Sequence, residues 1–219
     1  MAEIVGLRES KKARTRLAIS DAATQLFVER GFERVTVAEV AEAADVSIKT
    51  VFNYFPAKED LFFDRAEELV AGLERTVLDR PPGTTVARAL HALLTDNVVP
   101  FPGAGWSRLR KPDEYERYRA FVACEHASPT LRARRLVIAD GWAPRLTAAV
   151  ADALGLAAGD RRAAIFAAMV LAALALRERI LSEAVLAGRS ARTAERGVRE
   201  AMDEAFARIG QAFSDLDRP

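Results

Sequence analysis

Sulfur and imidazole are scarce in this chain of 219 residues, which holds one cysteine, Cys124, and two histidines, His91 and His126. A lone thiol closes no internal disulfide, and two imidazoles stock a metal site poorly. The cluster Cys124, Glu125, His126 is the most suggestive of catalysis. On a helix, however, residues two apart do not face each other, so thiol and imidazole cannot pair there as nucleophile and base. The composition therefore argues against an enzyme and implies no cofactor. A long apolar run is missing too. Ala163 to Leu176 is apolar without interruption, but Arg161, Arg162 and Arg177 bound it at 14 residues, short of the roughly 20 that a membrane span needs. It reads as a helix buried in protein, and no membrane partner is expected. The opening stretch MAEIVGLRESKKARTR lacks the apolar core of a signal peptide, so a cytoplasmic location is expected. Nor is there an excess of charge: 32 Lys and Arg face 31 Asp and Glu. That excludes a globally basic nucleic-acid coat protein and moves attention to local patches.

Half of the residues are apolar, enough to bury a core. Alternating β-branched residues are nearly absent while Ala, Leu, Arg and Glu dominate, which predicts an all-α fold. The first helix is expected from Ser10 to Arg30, with Ile19, Ala22, Ala23, Leu26 and Phe27 on one stripe and Gly31 ending it. Two short helices follow, Val37 to Ala44 and Ile48 to Tyr54. A long one is then expected from Ala57 to Asp79, stopped by Pro81, Pro82 and Gly83. Further helices are predicted at Thr85 to Val99, Asp113 to His126 and Pro129 to Asp140, with the loop PFPGAG before the second of these. Gly141 and Pro144 should break or kink the next segment, which resumes to Leu154. The longest helices come last, Asp160 to Leu186 and Arg192 to Phe213.

The short pair carries the functional signal. Thr36 with Glu39 forms a capping box, Ser47 is an N-cap candidate, and Ala43 to Val46 is the turn, which together fit a helix-turn-helix. At about 100° per residue, Val51 and Phe55 must face the core. Lys49 and Asn53 then point away from it, residue types that read guanine and adenine edges in the major groove. Ile48 and Phe52 lie on one flank, able to touch a thymine methyl or a sugar edge. Thr50 and Tyr54 occupy the other, with hydroxyls for phosphates. Lys58 adds a charge at the next helix start. Arg8, Lys11, Lys12, Arg14 and Arg16 crowd the start of the first helix against Glu3 and Glu9, a basic arm suited to phosphate positioning. A plain pair of surface helices with solvated side chains is the alternative.

Residues 10 to 62, through AISDAATQLFVERGFERVTVAEVAEAADVS and KTVFNYFPAKEDLF, resemble the DNA-binding domain of the TetR family of transcriptional regulators. The resemblance covers about a quarter of the chain. It implies a DNA-binding domain at 1–56 and a helical effector-binding and dimerisation domain at 57–219. The implied protein is a homodimeric regulator, usually a repressor, that dimerises through its last two long helices, binds a palindromic double-stranded DNA operator and is released by a small effector, which the aromatic and aliphatic residues of the middle helices suggest is mainly apolar. Carried over position by position, the DNA contacts fall on Thr36, Val37, Ser47, Ile48, Lys49, Thr50, Phe52, Asn53, Tyr54 and Lys58. The chain departs from the family pattern at Asp45, where glycine is common and a positive φ is expected. It departs again at Ile48 and Lys49, which replace a small or polar pair, and at Ala57, where serine is frequent. A helical enzyme that binds a small molecule, or an interaction scaffold without DNA function, is the rival reading; the scaffold leaves the basic arm and the Lys49 ridge unexplained.

Beyond residue 58 the reading rests on residue types. Val198, Met202, Ala205, Phe206, Ile209 and Phe213 form a stripe that, with the apolar run at Ala163 to Leu176, suits a dimer interface. For the effector the candidates are Trp106, Tyr118, Phe121, Val122, Glu125, Trp142, Phe166 and Met169. The long helix from Ala57 to Asp79 would carry an effector-driven tilt to the DNA-reading end.

Overall fold

The computed structural model describes residues 2–97 and 105–216, with side chains described from Ser10 onward. Eleven α-helices account for most of these: α1 Ala2–Arg30, α2 Val37–Ala43, α3 Ile48–Tyr54, α4 Lys58–Phe62, α5 Ala66–Leu78, α6 Val86–Asp96, α7 Trp106–Leu109, α8 Pro112–Ala127, α9 Pro129–Ala153, α10 Arg161–Leu186 and α11 Ala191–Ala212. Among the described residues there is no strand, only an isolated bridge between Asn97 and Gly105. No described helix is long and apolar enough to cross a membrane. The side chain of Arg8 and most of the PFPGAG loop lie outside the described residues.

Five helix starts follow from side-chain chemistry at single positions. Thr36, Ser47, Thr85, Asp160 and Ser190 each accept a backbone N–H from the first turn of the helix that follows, satisfying a donor that has no intrahelical partner. Gly31 ends α1 at φ 86°.

The helices form two compact units, residues 1–64 with 120–135, and residues 65–119 with 136–219. In the first, Ile19, Ala23 and Phe27 of α1 meet Val40 and Ala41 of α2, Val51 of α3 and its C-cap Phe55, and Leu61 and Phe62 of α4. Cys124 and Leu131, on either side of the α8–α9 turn, complete this core. Phe121 stacks on Phe62 at 4.2 Å between centroids, Ser128 donates to the Glu33 carboxylate at 2.6 Å, and Arg134 reaches Asp60 at 2.6 Å. Residues 120–135 thus supply both apolar and ionic cover to the helix-turn-helix.

In the second unit α10 packs on α11, α11 on α6, and α6 on α5. The α11 stripe of Val198, Met202, Phe206 and Ile209 is buried within this chain, with Phe206 against His91 and Phe213 against Phe166. It is therefore spent on the chain's own core, a correction to its reading as a surface for a second subunit. On α10, Ala164, Ile165, Ala168, Ala172 and Ala175 remain exposed.

Several helix boundaries differ from the sequence expectation: α1 starts at Ala2 rather than Ser10 and α6 stops at Asp96 rather than Val99. The helix predicted from Ala57 to Asp79 is broken at residues 63–65, where Phe63 and Arg65 hold φ,ψ of −100°, 32° and −98°, 4°. Asp64 is claimed from outside: its carbonyl accepts Arg16 Nη2 at 3.0 Å and its carboxylate accepts the Ser20 hydroxyl at 2.5 Å. A continuous rod from the DNA-reading end to Asp79 is thereby ruled out. Conversely, the break expected at Gly141 and Pro144 is absent, and α9 runs through both. Proline removes the bond to the carbonyl four residues back, but Asp140 and Pro144 are exposed, so water can take that carbonyl.

Candidate nucleic-acid interface

The turn between α2 and α3 is a Schellman motif closed without glycine. Val46 N–H bonds to Ala41 O at 2.9 Å and Asp45 N–H to Glu42 O at 3.1 Å, the 6→1 and 5→2 pattern. Asp45 takes φ 53°, the one positive φ outside glycine among the described residues, as the sequence predicts. At the start of α2, Thr36 N–H and hydroxyl both donate to Glu39 Oε2 at 2.8 Å, and Glu39 N–H returns a bond to Thr36 Oγ1 at 3.3 Å. These bonds from Thr36 hold the Glu39 carboxyl below the usual range. Arg30 pairs with it from outside at 2.9 Å.

Ser47 caps α3, accepting Thr50 N–H at 3.0 Å, with the two hydroxyls 2.8 Å apart. Val51 and Phe55 are buried at 1 % exposure, so the face assignment holds. Lys49 and Asn53 point outward, and neither is engaged by another described side chain. Ile48 and Phe52 are each 47 % exposed on the flank. Thr36 and Ser47 are exposed and Thr50 is half-buried, while Val37 and Tyr54 pack partly on the first core.

Lys58 is placed differently from a free phosphate contact. Its ammonium donates to Phe32 O at 2.6 Å and sits 4.2 Å from the Phe32 ring centroid; burial lowers its pKa from the usual lysine value. Here it ties the loop after α1 to the start of α4.

Arg16, grouped by the sequence with the basic arm, is turned inward as well. It donates to Tyr54 O at 3.2 Å and Asp64 O at 3.0 Å, and its guanidinium lies 4.3 Å over the Phe55 ring. Tyr54 is the last residue of α3, so the cation meets the negative end of that helix. The signal was present in the spacing: Arg16, Ile19 and Ala23 share one face of α1. Arg16→Ala should cost the first unit about 2 kcal/mol, read by denaturant titration, and Arg16→Lys should not restore it, because an ammonium cannot bridge two carbonyls while stacking on a ring.

The effector candidates divide between the units. Phe121, Val122 and Glu125 belong to the first, where Phe121 stacks on Phe62 and Glu125 pairs with Arg135 at 2.7 Å. Burial raises the Glu125 pKa. Trp106, Tyr118, Trp142, Phe166 and Met169 belong to the second. Trp106 is buried with its indole N–H donating to Thr95 O at 2.8 Å; Tyr118 and Phe166 are buried, Trp142 and Met169 half-buried.

Comparison with known proteins agrees with this geometry. Residues 19–64 match the family profile described as bacterial regulatory proteins, tetR family. The chain is 30 % identical over 173 residues to the HTH-type transcriptional regulator TcmR of Streptomyces glaucescens, covering 68 % of this chain and 74 % of that protein. The fold is similar to NalD of Pseudomonas aeruginosa, the secondary repressor of the MexAB-OprM multidrug efflux pump, with TM-score 0.52 and 18 % identity over 88 % of this chain and 97 % of that one. It is also similar to the regulator FadR of Bacillus subtilis in complex with stearoyl-CoA, with TM-score 0.50 and 17 % identity over 85 % and 96 % of the two chains. With the capped α2–α3 pair, its outward Lys49 and Asn53, and a relative matched over most of its length, the chain belongs to the TetR family of DNA-binding transcriptional regulators.

Proposed function

We propose that this regulator represses transcription from the cytoplasm by binding a palindromic operator as a homodimer, with α3 in the major groove, and that a small, mainly apolar effector releases it. The observation that carries the DNA reading is the uncommitted outer ridge of α3. Among the described residues Lys49 and Asn53 have no hydrogen-bond or ionic partner, while Val51 and Phe55 opposite them are in the core. Thr36, Ser47, Thr50 and Tyr54 would hold phosphates, with Val37 against the sugar edge and Ile48 and Phe52 on bases. Lys58 would reach a phosphate only by leaving Phe32 O, so its main part is to hold the backbone behind α3. Lys49→Ala or Asn53→Ala should relax base preference by about 1–3 kcal/mol at one position in each half-site, measured by competition among operator variants. A uniform loss at all positions would instead assign both residues to the phosphates.

Dimerisation is supported by the α10 ridge, where Ile165, Ala168, Ala172 and Ala175 recur at helical spacing and are exposed among the described residues. For the effector, the second unit holds Trp106, Tyr118, Trp142, Phe166 and Met169, whose apolar bulk favours an apolar ligand; Phe121, Val122 and Glu125 are better explained as packing around the helix-turn-helix. Repression is the role of NalD, and FadR shows that the fold can hold an acyl-CoA. Titrating a ligand found by thermal shift with and without operator tests the coupling, since each must change the other's affinity by the same factor. Equal ligand affinities would sever that ligand from regulation.

A further inference from the structure

The geometry points to a thymine-reading function for Ile48 and Phe52: the operator half-site carries a thymine C5 methyl group where this apolar pair lands, beside the bases met by Lys49 and Asn53. The inference rests on the proposal that α3 enters the major groove. Ile48 and Phe52 lie one turn apart on a helix of seven residues and are each 47 % exposed. They are not core residues that miss full cover, because Val51 and Phe55 already supply the inward face at 1 % exposure. Two large apolar side chains left in water next to a lysine and an asparagine make a mixed ridge, part apolar and part polar.

What such a ridge can meet is limited by the chemistry of the groove. Guanine, cytosine and adenine present only donors and acceptors there, and the thymine methyl is the one apolar group. Against any other base edge, Ile48 and Phe52 would strip water from N7, O6 or an amino group and return no hydrogen bond, an unfavourable exchange. Against a thymine they bury a methyl and part of their own exposed surface. The pair therefore favours thymine and also rejects G·C at that position, discrimination by attraction and by penalty together. Asn53, one residue on from Phe52, has the amide that suits adenine N6 and N7, so the apolar flank and the amide select neighbouring A·T pairs.

The test uses the full chain and a duplex selected by it from a random pool. Each thymine of that duplex is replaced in turn by deoxyuridine, which removes the C5 methyl and keeps the O4 acceptor. At one or two positions per half-site the replacement should weaken binding about three- to fivefold. Ile48→Ala or Phe52→Ala should bind the thymine and deoxyuridine duplexes equally there, while Ile48→Val and Phe52→Leu keep the preference; helical content and melting temperature verify that each variant folds. Equal binding of thymine and deoxyuridine at every position by the wild type would overturn this inference and leave base reading by Lys49 and Asn53 intact. A thymine preference that survives in the Ile48→Ala, Phe52→Ala double variant would overturn it too, assigning the methyl to another residue. A pool in which no sequence is enriched would remove base reading and this inference together.

Discussion

Replacing Arg177 by alanine should destabilise the second unit by about 3–5 kcal/mol, the range found when a buried ionic group is removed and its partners stay. Arg177 sits in α10 with no exposed surface. Its Nε donates to Leu94 O at 2.7 Å, and its two terminal nitrogens bond to Asn97 O and the Glu178 carboxylate. Leu94 lies in the last turn of α6 and Asn97 is its C-cap, so one guanidinium supplies donors to carbonyls that a helix end leaves without partners. It also meets the negative end of the helix dipole. Alanine leaves a cavity, two carbonyls without that donor, and a half-buried Glu178 without the Arg177 charge. Arg177→Met should cost less, because it refills the volume and leaves only the polar loss. Denaturant titration of both variants checks the order; equal costs would mean that volume matters little here and the hydrogen bonds dominate.

Phe27→Ala should cost the first unit about 3–5 kcal/mol and take operator binding with it. The ring is fully buried, 4.9 Å from the Phe32 centroid and 6.4 Å from that of Phe62. Lys58 stands over the same two aromatic residues, Phe27 and Phe32, so the cavity would also remove part of the surface on which that ammonium rests. A loss of this size is a large share of the 5–15 kcal/mol that stabilises an ordinary domain. Circular dichroism should show a lower melting temperature and DNA titration a binding loss reversed by cooling. Phe27→Leu, which keeps most of the volume, should retain binding at moderate temperature. A Phe27→Ala protein that melts like the wild type would mean that the core collapses onto the space, with α1 moved toward α4.

The recognition unit was largely legible because its information is local. The capping box at Thr36 and Glu39, the Ser47 cap, the positive φ at Asp45 and the inward Val51 and Phe55 each depend on residues within a few positions of one another. The placement of Arg16 and Lys58 was not legible, for the opposite reason. Each is a long cation beside a DNA-reading helix, and helical spacing alone cannot tell whether its charge faces water or a backbone carbonyl 38 or 26 residues away.

By itself the sequence determined the all-α class, the limits of α2 and α3 to within a residue, and the outer ridge of Lys49 and Asn53, because helical period and side-chain caps act over short separations. Only the tertiary structure decided that α4 stops at Phe62, since the groups that claim Asp64 come from α1, 44 and 48 residues away. It alone recruited Phe121, Cys124 and Leu131 to the core behind the helix-turn-helix and turned the α11 stripe onto the chain's own α6 and α10. An apolar stripe specifies that it must be covered, whereas which surface covers it depends on how distant helices meet, and no local pattern encodes that.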